Sequence, residues 1–167
     1  MKKYLYVLLS VIFTSLSTLY LSNAQTNLTT NGTLPTENIT GTIQPENLIG
    51  TSQPDDLTGT MGDDFIFGGA GFDNITGNDG NDEIDGGVGG DEIKGENGND
   101  VIFGGIGNDN ILGGDGDDDL YGGPGADFLD GGRGADYFDC GSSSDTISNL
   151  NISEGDIAMS NCEKIKR

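Results

Sequence analysis

Aspartate recurs at every ninth residue through the middle of this chain. From Gly59 to Asp139, nine consecutive units of nine residues follow one another without insertion or deletion, and each fits G-[GTNE]-x-G-x-D-x-U-x, where U is a large apolar residue. Glycines at places one and four allow turns with positive φ, which set the place-six carboxylate beside exposed loop carbonyls. Such oxygen atoms are ligands for a hard cation. The candidate metal-binding residues are the nine place-six aspartates: Asp64, Asp73, Asp82, Asp91, Asp100, Asp109, Asp118, Asp127 and Asp136.

The last three places of each unit predict a very short β-strand. Alternation along such a strand points the eighth residue to one side and the seventh and ninth residues to the other. One residue per unit is therefore expected to be buried. The predicted core is the apolar stripe at place eight: Ile66, Ile75, Ile84, Ile93, Ile102, Ile111, Leu120, Leu129 and Phe138.

A turn followed by a three-residue strand closes on itself only when two units make one coil. Strands two units apart then stack in parallel at ~4.8 Å, which gives an all-β solenoid of two facing sheets. The aspartates form two edge columns, with Asp64, Asp82, Asp100, Asp118 and Asp136 in one and Asp73, Asp91, Asp109 and Asp127 in the other. Carboxylates ~5 Å apart repel by about 3 kcal/mol at an effective dielectric of about 20. We therefore expect a cation between stacked carboxylates.

These repeats closely resemble the hemolysin-type calcium-binding repeat (RTX) family over residues 59–139. The resemblance implies a right-handed parallel β-roll of nonapeptide half-coils, with one Ca²⁺ between each pair of stacked loops. The place-six aspartates and the loop carbonyls would hold each ion. The nine aspartates leave seven such gaps, so about seven Ca²⁺ sites are expected, with one or two end sites weak or empty. The gaps are 64/82, 82/100, 100/118, 118/136, 73/91, 91/109 and 109/127.

The segment before the repeats is predicted to contain an export signal and a cap. Residues 1–24 have a basic start at Lys2 and Lys3, an apolar run and a small residue at Ala24, which is typical of a cleaved signal peptide. An uncleaved membrane anchor is the alternative, because the run is nearly long enough to span a bilayer. Residues 25–58 keep the nine-residue phase but lose most glycines and short carboxylates. They are interpreted as a metal-poor N-terminal cap, or else as a disordered tether.

The period decays after Asp139, and residues 140–167 are interpreted as a C-terminal cap. Asp145 and Ile147 still occupy places six and eight of a unit that has lost its place-one and place-four glycines. Cys140 and Cys162 are the only cysteines of the chain. In a secreted chain a disulfide between them is predicted to staple the cap, for about 3 kcal/mol.

Composition excludes several classes of function. The formal charge is −21, and removal of Lys2 and Lys3 with a signal peptide would make it −23, which excludes nucleic acid and anionic membranes as partners. The chain has no histidine, and no segment outside the repeats and caps is large enough for a catalytic domain, so no enzymatic activity is expected. The sequence predicts a secreted calcium-binding module that folds outside the cell and serves as a structural or cell-surface component.

An adhesion or interaction role is the alternative function. Places seven and nine of alternate units carry apolar residues, among them Phe67, Phe103 and Tyr121, on what would be one outer sheet face. Such a face could bind a partner or form a homodimer. Ordinary strand preference for aromatic residues also accounts for the pattern.

Overall fold

Short parallel strands, repeated every half-coil, build the whole of the described chain. The computed structural model describes residues 27–29, 38–40 and 47–166, with side chains described for 47–165. The predicted signal peptide, residues 1–24, lies outside these residues. In the part of the chain that is described, no helix has the length and apolar character needed to cross a membrane.

Sixteen strands are present in the described chain. The first eight are β1 (Asn27–Thr29), β2 (Asn38–Thr40), β3 (Asn47–Ile49), β4 (Asp56–Thr58), β5 (Phe65–Ala70), β6 (Asn74–Asp79), β7 (Glu83–Val88) and β8 (Glu92–Asn97). The remaining eight are β9 (Val101–Phe103), β10 (Asn110–Asp115), β11 (Asp119–Tyr121), β12 (Phe128–Arg133), β13 (Tyr137–Asp139), β14 (Thr146–Ser148), β15 (Ile157–Ala158) and β16 (Lys164–Lys166).

The strands divide into two eight-stranded sheets by alternation along the chain. The odd sheet has the order β1-β3-β5-β7-β9-β11-β13-β15, and the even sheet has the order β16-β14-β12-β10-β8-β6-β4-β2. All pairings are parallel, and most join residues eighteen apart, such as Ile84 with Ile102 in the odd sheet and Ile93 with Ile111 in the even sheet. Two units therefore make one coil, and the predicted all-β parallel β-roll is confirmed.

The core is a single apolar stripe between the two sheets. Every predicted place-eight residue from Ile66 to Phe138 is fully buried, and Leu48, Leu57, Cys140 and Ile147 extend the stripe at both ends. The flanking residues of each strand face outward, as in the exposed-buried-intermediate pattern of Glu83, Ile84 and Asp85. The side chain of Ile39, at the same place in the N-terminal segment, lies outside the described side chains.

Several strands are longer than the sequence indicates. The last three places predict three-residue strands, yet β5, β6, β7, β8, β10 and β12 each have six residues. The added residues belong to the next loop, where Gly69 pairs with Gly87 and Gly114 pairs with Gly132. Because the loops repeat with the same period as the strands, their backbones stack and continue the hydrogen-bond ladder.

The two ends depart from the eighteen-residue spacing. At the N-terminal end β1 pairs with β3 across twenty residues, Asn27 with Asn47. At the C-terminal end Tyr137 of β13 pairs with Ile157 of β15, also twenty residues apart. The predicted disulfide joins Cys140 to Cys162 with Cα atoms 5.1 Å apart, so the C-terminal segment is tied to the last regular coil.

Candidate metal sites

The nine predicted ligands are buried carboxylates, although they lie in loops at the edges of the roll. Each place-six aspartate from Asp64 to Asp136 is between 1% and 3% exposed. They stand in the two predicted columns, because the strands that follow them pair at eighteen-residue spacing. Aspartate is rarely buried without a partner. The contacts of the two carboxylate oxygens therefore decide what these side chains do.

From Asp73 to Asp136, one oxygen of each carboxylate accepts a hydrogen bond from the neighbouring coil. The backbone N–H of Asp82 donates to Oδ1 of Asp100 at 2.8 Å, and the N–H of Asp91 donates to Oδ1 of Asp109 at 2.8 Å. The same bond recurs along both columns, from Asp64 to Asp82, Asp73 to Asp91, Asp100 to Asp118, Asp109 to Asp127 and Asp118 to Asp136. An ionised acceptor makes such a bond about twice as strong as a neutral one. The Oδ1 atoms thus form a ladder that fixes the spacing of successive coils.

The second oxygen is buried and has no hydrogen-bond donor over most of the roll. Oδ2 is orphaned in this way in nine aspartates: Asp73, Asp82, Asp91, Asp100, Asp109, Asp118, Asp127, Asp136 and Asp145. An unsatisfied buried acceptor costs roughly 1–3 kcal/mol, and more when it is charged. Repetition of the same orphan in every coil indicates a ligand position, which a cation or a proton would satisfy.

The glycines keep the space around these oxygens open. A Cβ added to Gly68 would lie 2.8 Å from Oδ2 of Asp73, and one added to Gly86 would lie 2.7 Å from Oδ2 of Asp91. At place four, Gly98 has φ +133°, and a Cβ there would overlap the carbonyl oxygen of Gly80 in the coil before it. Any side chain at place one would fill the space next to the orphaned oxygen. The repeat pattern therefore preserves a cradle of carbonyl and carboxylate oxygens.

This donor set fits calcium. Ca²⁺ takes six to eight oxygen ligands, and backbone carbonyls serve as well as carboxylates. Within the described ranges no group of three acidic, histidine or cysteine side chains gathers around one point. The donor set predicted from the sequence, two aspartates and loop carbonyls, would rely on the carbonyls for much of the coordination.

Burial also changes the acidity of the columns. It raises the pKa of Asp118 to about 7 and that of Asp100 to about 6, although the amide hydrogen bond to each carboxylate opposes the shift. The pKa values of Asp82, Asp91, Asp127 and Asp136 are raised to about 6 for the same reason, and those of Asp73 and Asp109 are also raised. Without a cation, the six groups with pKa values of about 6 or 7 therefore take up protons close to neutral pH.

Threonine replaces the open cradle at the N-terminal end of the columns. Oδ2 of Asp64 accepts from the backbone N–H of Thr60 at 2.6 Å and from its hydroxyl at 3.0 Å. Asp55, which the sequence placed in the metal-poor cap, is buried and makes the same two contacts with Thr51. A protein donor thus takes the role of a cation at this end. These contacts favour weak calcium binding at the N-terminal end of the two aspartate columns.

Two further aspartates join the columns at the C-terminal end. Oδ1 of Asp145 accepts from the N–H of Asp127 at 3.0 Å, and Oδ1 of Asp156 accepts from the N–H of Asp136 at 3.1 Å. Oδ2 of Asp145 is orphaned like those of the regular units, whereas Oδ2 of Asp156 accepts from the N–H of Asn151. The place-six position of Asp145 was the feature of the sequence that could identify it as a member of the column. Asp156 lies twenty residues after Asp136, so the nine-residue count misses it.

An outer ladder at place five reinforces one edge. The N–H of Asn81 donates to Oδ1 of Asp63 at 2.8 Å, and the N–H of Asn99 donates to Oδ1 of Asn81 at 2.9 Å. Asp117 and Ala135 continue the series with the amides of successive coils. These bonds run in the opposite direction to the inner ladder, since each side chain reaches the following coil. Asn and Asp at place five therefore brace the loops.

The fold and these loops define a parallel β-roll with regularly stacked oxygen sites. A model of the RTX calcium-binding nonapeptide repeat family, described as four copies, matches residues 40–75, 58–93, 76–111, 85–120 and 112–147. The chain belongs to this family. Membership, together with the fold, indicates a calcium-binding repeat protein. A search of curated proteins finds no match to this chain.

Proposed function

We propose that this is a secreted protein whose roll folds when it binds calcium, and that it serves as a structural or cell-surface module. The repeated orphan at Oδ2 carries the proposal, because eight of the nine predicted ligands place a buried, unpaired oxygen in an open loop. The ligands proposed are the nine place-six aspartates from Asp64 to Asp136, together with loop carbonyls. No enzymatic activity is proposed.

Calcium and folding are linked through these same oxygens. In the unfolded chain the carboxylates are hydrated and far apart, whereas in the roll they are buried in columns. Folding without a cation must therefore bear the desolvation of many carboxylates, or protonate them. A ligand that binds only the folded state stabilises that state, and the stabilisation grows with the logarithm of the ligand concentration above the Kd.

Circular dichroism of the mature protein tests this linkage. In chelator at neutral pH we expect an unfolded spectrum, and rising Ca²⁺ should produce β signal in a cooperative transition. Modules that work outside cells bind Ca²⁺ at roughly 0.1–1 mM. Mg²⁺ is the control, since it demands near-ideal octahedral geometry and keeps its waters. A β spectrum that is unchanged by chelation would refute the linkage.

The number of ions is a separate proposal. Seven gaps separate the nine predicted ligands, and the orphaned Oδ2 of Asp145 makes 127/145 an additional candidate. The 64/82 gap should be the weakest, because Thr60 already donates to Asp64. Native mass spectrometry during a calcium titration would count the ions. A Thr60→Gly variant that gains no affinity would contradict the ranking of that site.

Secretion is proposed from the N-terminal sequence. Cleavage between Ala24 and Gln25 would release the mature chain, while retention of residues 1–24 would leave it anchored at the cell surface. N-terminal sequencing of protein recovered from culture medium and from the envelope distinguishes the two. Protein found only inside the cell would contradict both.

A second candidate function is partner binding through the outer face of the odd sheet. The rings of Phe103 and Tyr121 stack there with centroids 4.8 Å apart, and Tyr121 and Tyr137 lie 5.9 Å apart. Phe67 belongs to the same face but is separated from Phe103 by Asp85. Alanine at Phe67, Phe103 and Tyr121 should reduce cell-surface retention or dimer formation. Unchanged sedimentation and unchanged retention would remove this candidate.

A further inference from the structure

Two acidic and four apolar side chains are neighbours on the outer face of the odd sheet around β7. Glu83 and Asp85 face outward on either side of the buried Ile84. The residues paired with them on the neighbouring strands are Phe65 and Phe67 from β5, and Val101 and Phe103 from β9. These six residues are called the β7 groove. The pairing places Asp85 directly between Phe67 and Phe103, about 4.8 Å from the backbone of each.

Among the residues whose side chains are described, the carboxylates of the β7 groove have no basic partner. Among residues 47–165 the two ion pairs are Lys94 with Glu92, at 2.7 Å, and Arg133 with Asp115, at 3.1 Å. Glu92 and Lys94 occupy places seven and nine of the next unit, on the even sheet, so there the same two positions neutralise each other. On the odd sheet the acidic pair stands between exposed or half-buried apolar side chains.

We propose that the β7 groove binds an extended cationic peptide segment with basic residues at alternate positions. This inference narrows the second candidate function, on which it rests, to one class of partner. Residues two apart on an extended chain lie about 6.6 Å from each other on the same side, which is also the spacing of Glu83 and Asp85 along β7. A cation at Asp85 would have the rings of Phe67 and Phe103 beside it, and a cation at Glu83 would have the ring of Phe65. Ammonium and guanidinium groups bind aromatic faces within about 6 Å.

The acidic charge of the chain favours a cationic peptide over a second copy of the chain as the partner of this surface. The protein carries −21, and a face-to-face dimer would bring Glu83 and Asp85 close to acidic side chains of the same surface, including Asp119 and Asp139. Like charges at an interface weaken association. Burial already raises the pKa of Asp85, with a backbone hydrogen bond from Gly87 opposing the shift. A bound cation relieves that cost, whereas a second acidic surface increases it.

A fluorescent peptide, acetyl-Thr-Arg-Thr-Arg-Thr-amide, tests the proposal by anisotropy against the full mature chain in saturating calcium. The matched peptide has the two arginines adjacent, which places them on opposite sides of an extended chain. We expect the alternating peptide to bind more tightly. The double variant Glu83→Gln/Asp85→Asn should weaken its binding about tenfold, from the loss of two ion pairs and of the cation's fit between the rings.

A charge-matched control separates the groove from general acidity. Asp56→Asn/Asp63→Asn changes the net charge equally, keeps the acceptor oxygens that Asn74 and Asn81 use, and lies outside the groove. It should leave binding unchanged, while Phe103→Thr should weaken binding with no change in charge. The calcium-dependent β spectrum confirms folding of each variant.

Equal affinity for both peptides, or an equal loss of affinity in the control variant, would overturn the proposal that the β7 groove binds a cationic peptide. Retention on cells that depends on Tyr121, without peptide binding, would overturn the groove and leave the second candidate function intact.

Discussion

The two oxygens of most place-six aspartates have different surroundings. Oδ1 of Asp100 accepts the amide of Asp82, which joins successive coils, while Oδ2 of Asp100 remains buried and free of protein donors. The sequence predicted the loop position of this residue only through its repeat, and it predicted a metal-binding role that stays a prediction. It did not reveal the amide ladder, because a nine-residue period places carboxylates near one another without fixing which backbone groups they meet.

The raised pKa values of the buried aspartates predict an unusual pH dependence for the metal-free protein. The folded-state pKa of Asp118 is about 7 and those of Asp82 and Asp100 are about 6, against an ordinary value of 3.8. Groups with raised folded-state pKa values stabilise the fold below their ordinary value, and that stabilisation is lost as pH rises through the folded value. Metal-free protein should therefore gain β signal between about pH 7 and about pH 4. Circular dichroism in chelex-treated buffer measures it.

An amide side chain supplies the control for this pH prediction. Asp118→Asn keeps an acceptor for the amide of Asp100 and removes the charge at the orphaned position. The metal-free variant should fold more readily at neutral pH than wild type, yet require more calcium to complete the transition. Asp119→Asn changes the same charge at an exposed site and should do neither. Acid unfolding of the metal-free wild type would contradict the prediction.

Glu96 shows a local cost within the repeat. It occupies place two with φ +81°, where most units have glycine, and only Asn78 otherwise takes a positive φ at this place among non-glycine residues in the described chain. A side chain in this region costs roughly 1–2 kcal/mol. Glu96→Gly should therefore raise the free energy of unfolding in calcium by about 1 kcal/mol, measured by urea denaturation. An unchanged free energy of unfolding in this variant would contradict the strain assigned to Glu96.

At the scale of elements, the repeat period determined most of the architecture. Ile93 and its equivalents predict the core, and the two-unit coil predicts the pairing of β8 with β10. The period could not predict the extension of strands into the glycine loops, because that depends on backbone stacking between coils. It also fails where the count changes to twenty residues, at β1 and at β15. At β15, a turn over residues 152–155 replaces the regular loop.

The disulfide should hold the C-terminal strands in place. Cys140 is buried at the end of the apolar stripe, and Cys162 packs against the same cluster. Reduction in calcium should cost about 3 kcal/mol of the free energy of unfolding, since the closed loop spans just over twenty residues. Hydrogen exchange should then increase first in β15 and β16, while β7 to β10 remain protected. Uniform loss of protection along the roll would contradict a local role for the bond.

At the scale of the molecule, the roll behaves as a linear array in which each coil contacts only its neighbours. Every inner-ladder bond of the regular units joins one coil to the next, as in the bond from Asp91 to Asp109. Stability in such arrays is approximately a sum of coil and nearest-neighbour terms. A lesion in the middle therefore divides the cooperative unit, and a lesion at one end only shortens it.

Asp100 and Asp55 provide matched lesions for the last prediction. Both are buried place-six residues, but Asp100 belongs to two inner gaps, whereas Oδ2 of Asp55 is held by Thr51. Asp100→Ala leaves the buried amide of Asp82 without its acceptor, which costs roughly 1–3 kcal/mol, and removes a carboxylate from two neighbouring proposed calcium sites. Its calcium midpoint should rise and its transition should broaden.

Asp55→Ala should fray the N-terminal coil with little change in the midpoint, because protein donors already satisfy its carboxylate. Calcium titrations followed by circular dichroism compare the two, and identical shifts would contradict both the linear coupling of the coils and the division between metal-binding and threonine-closed loops.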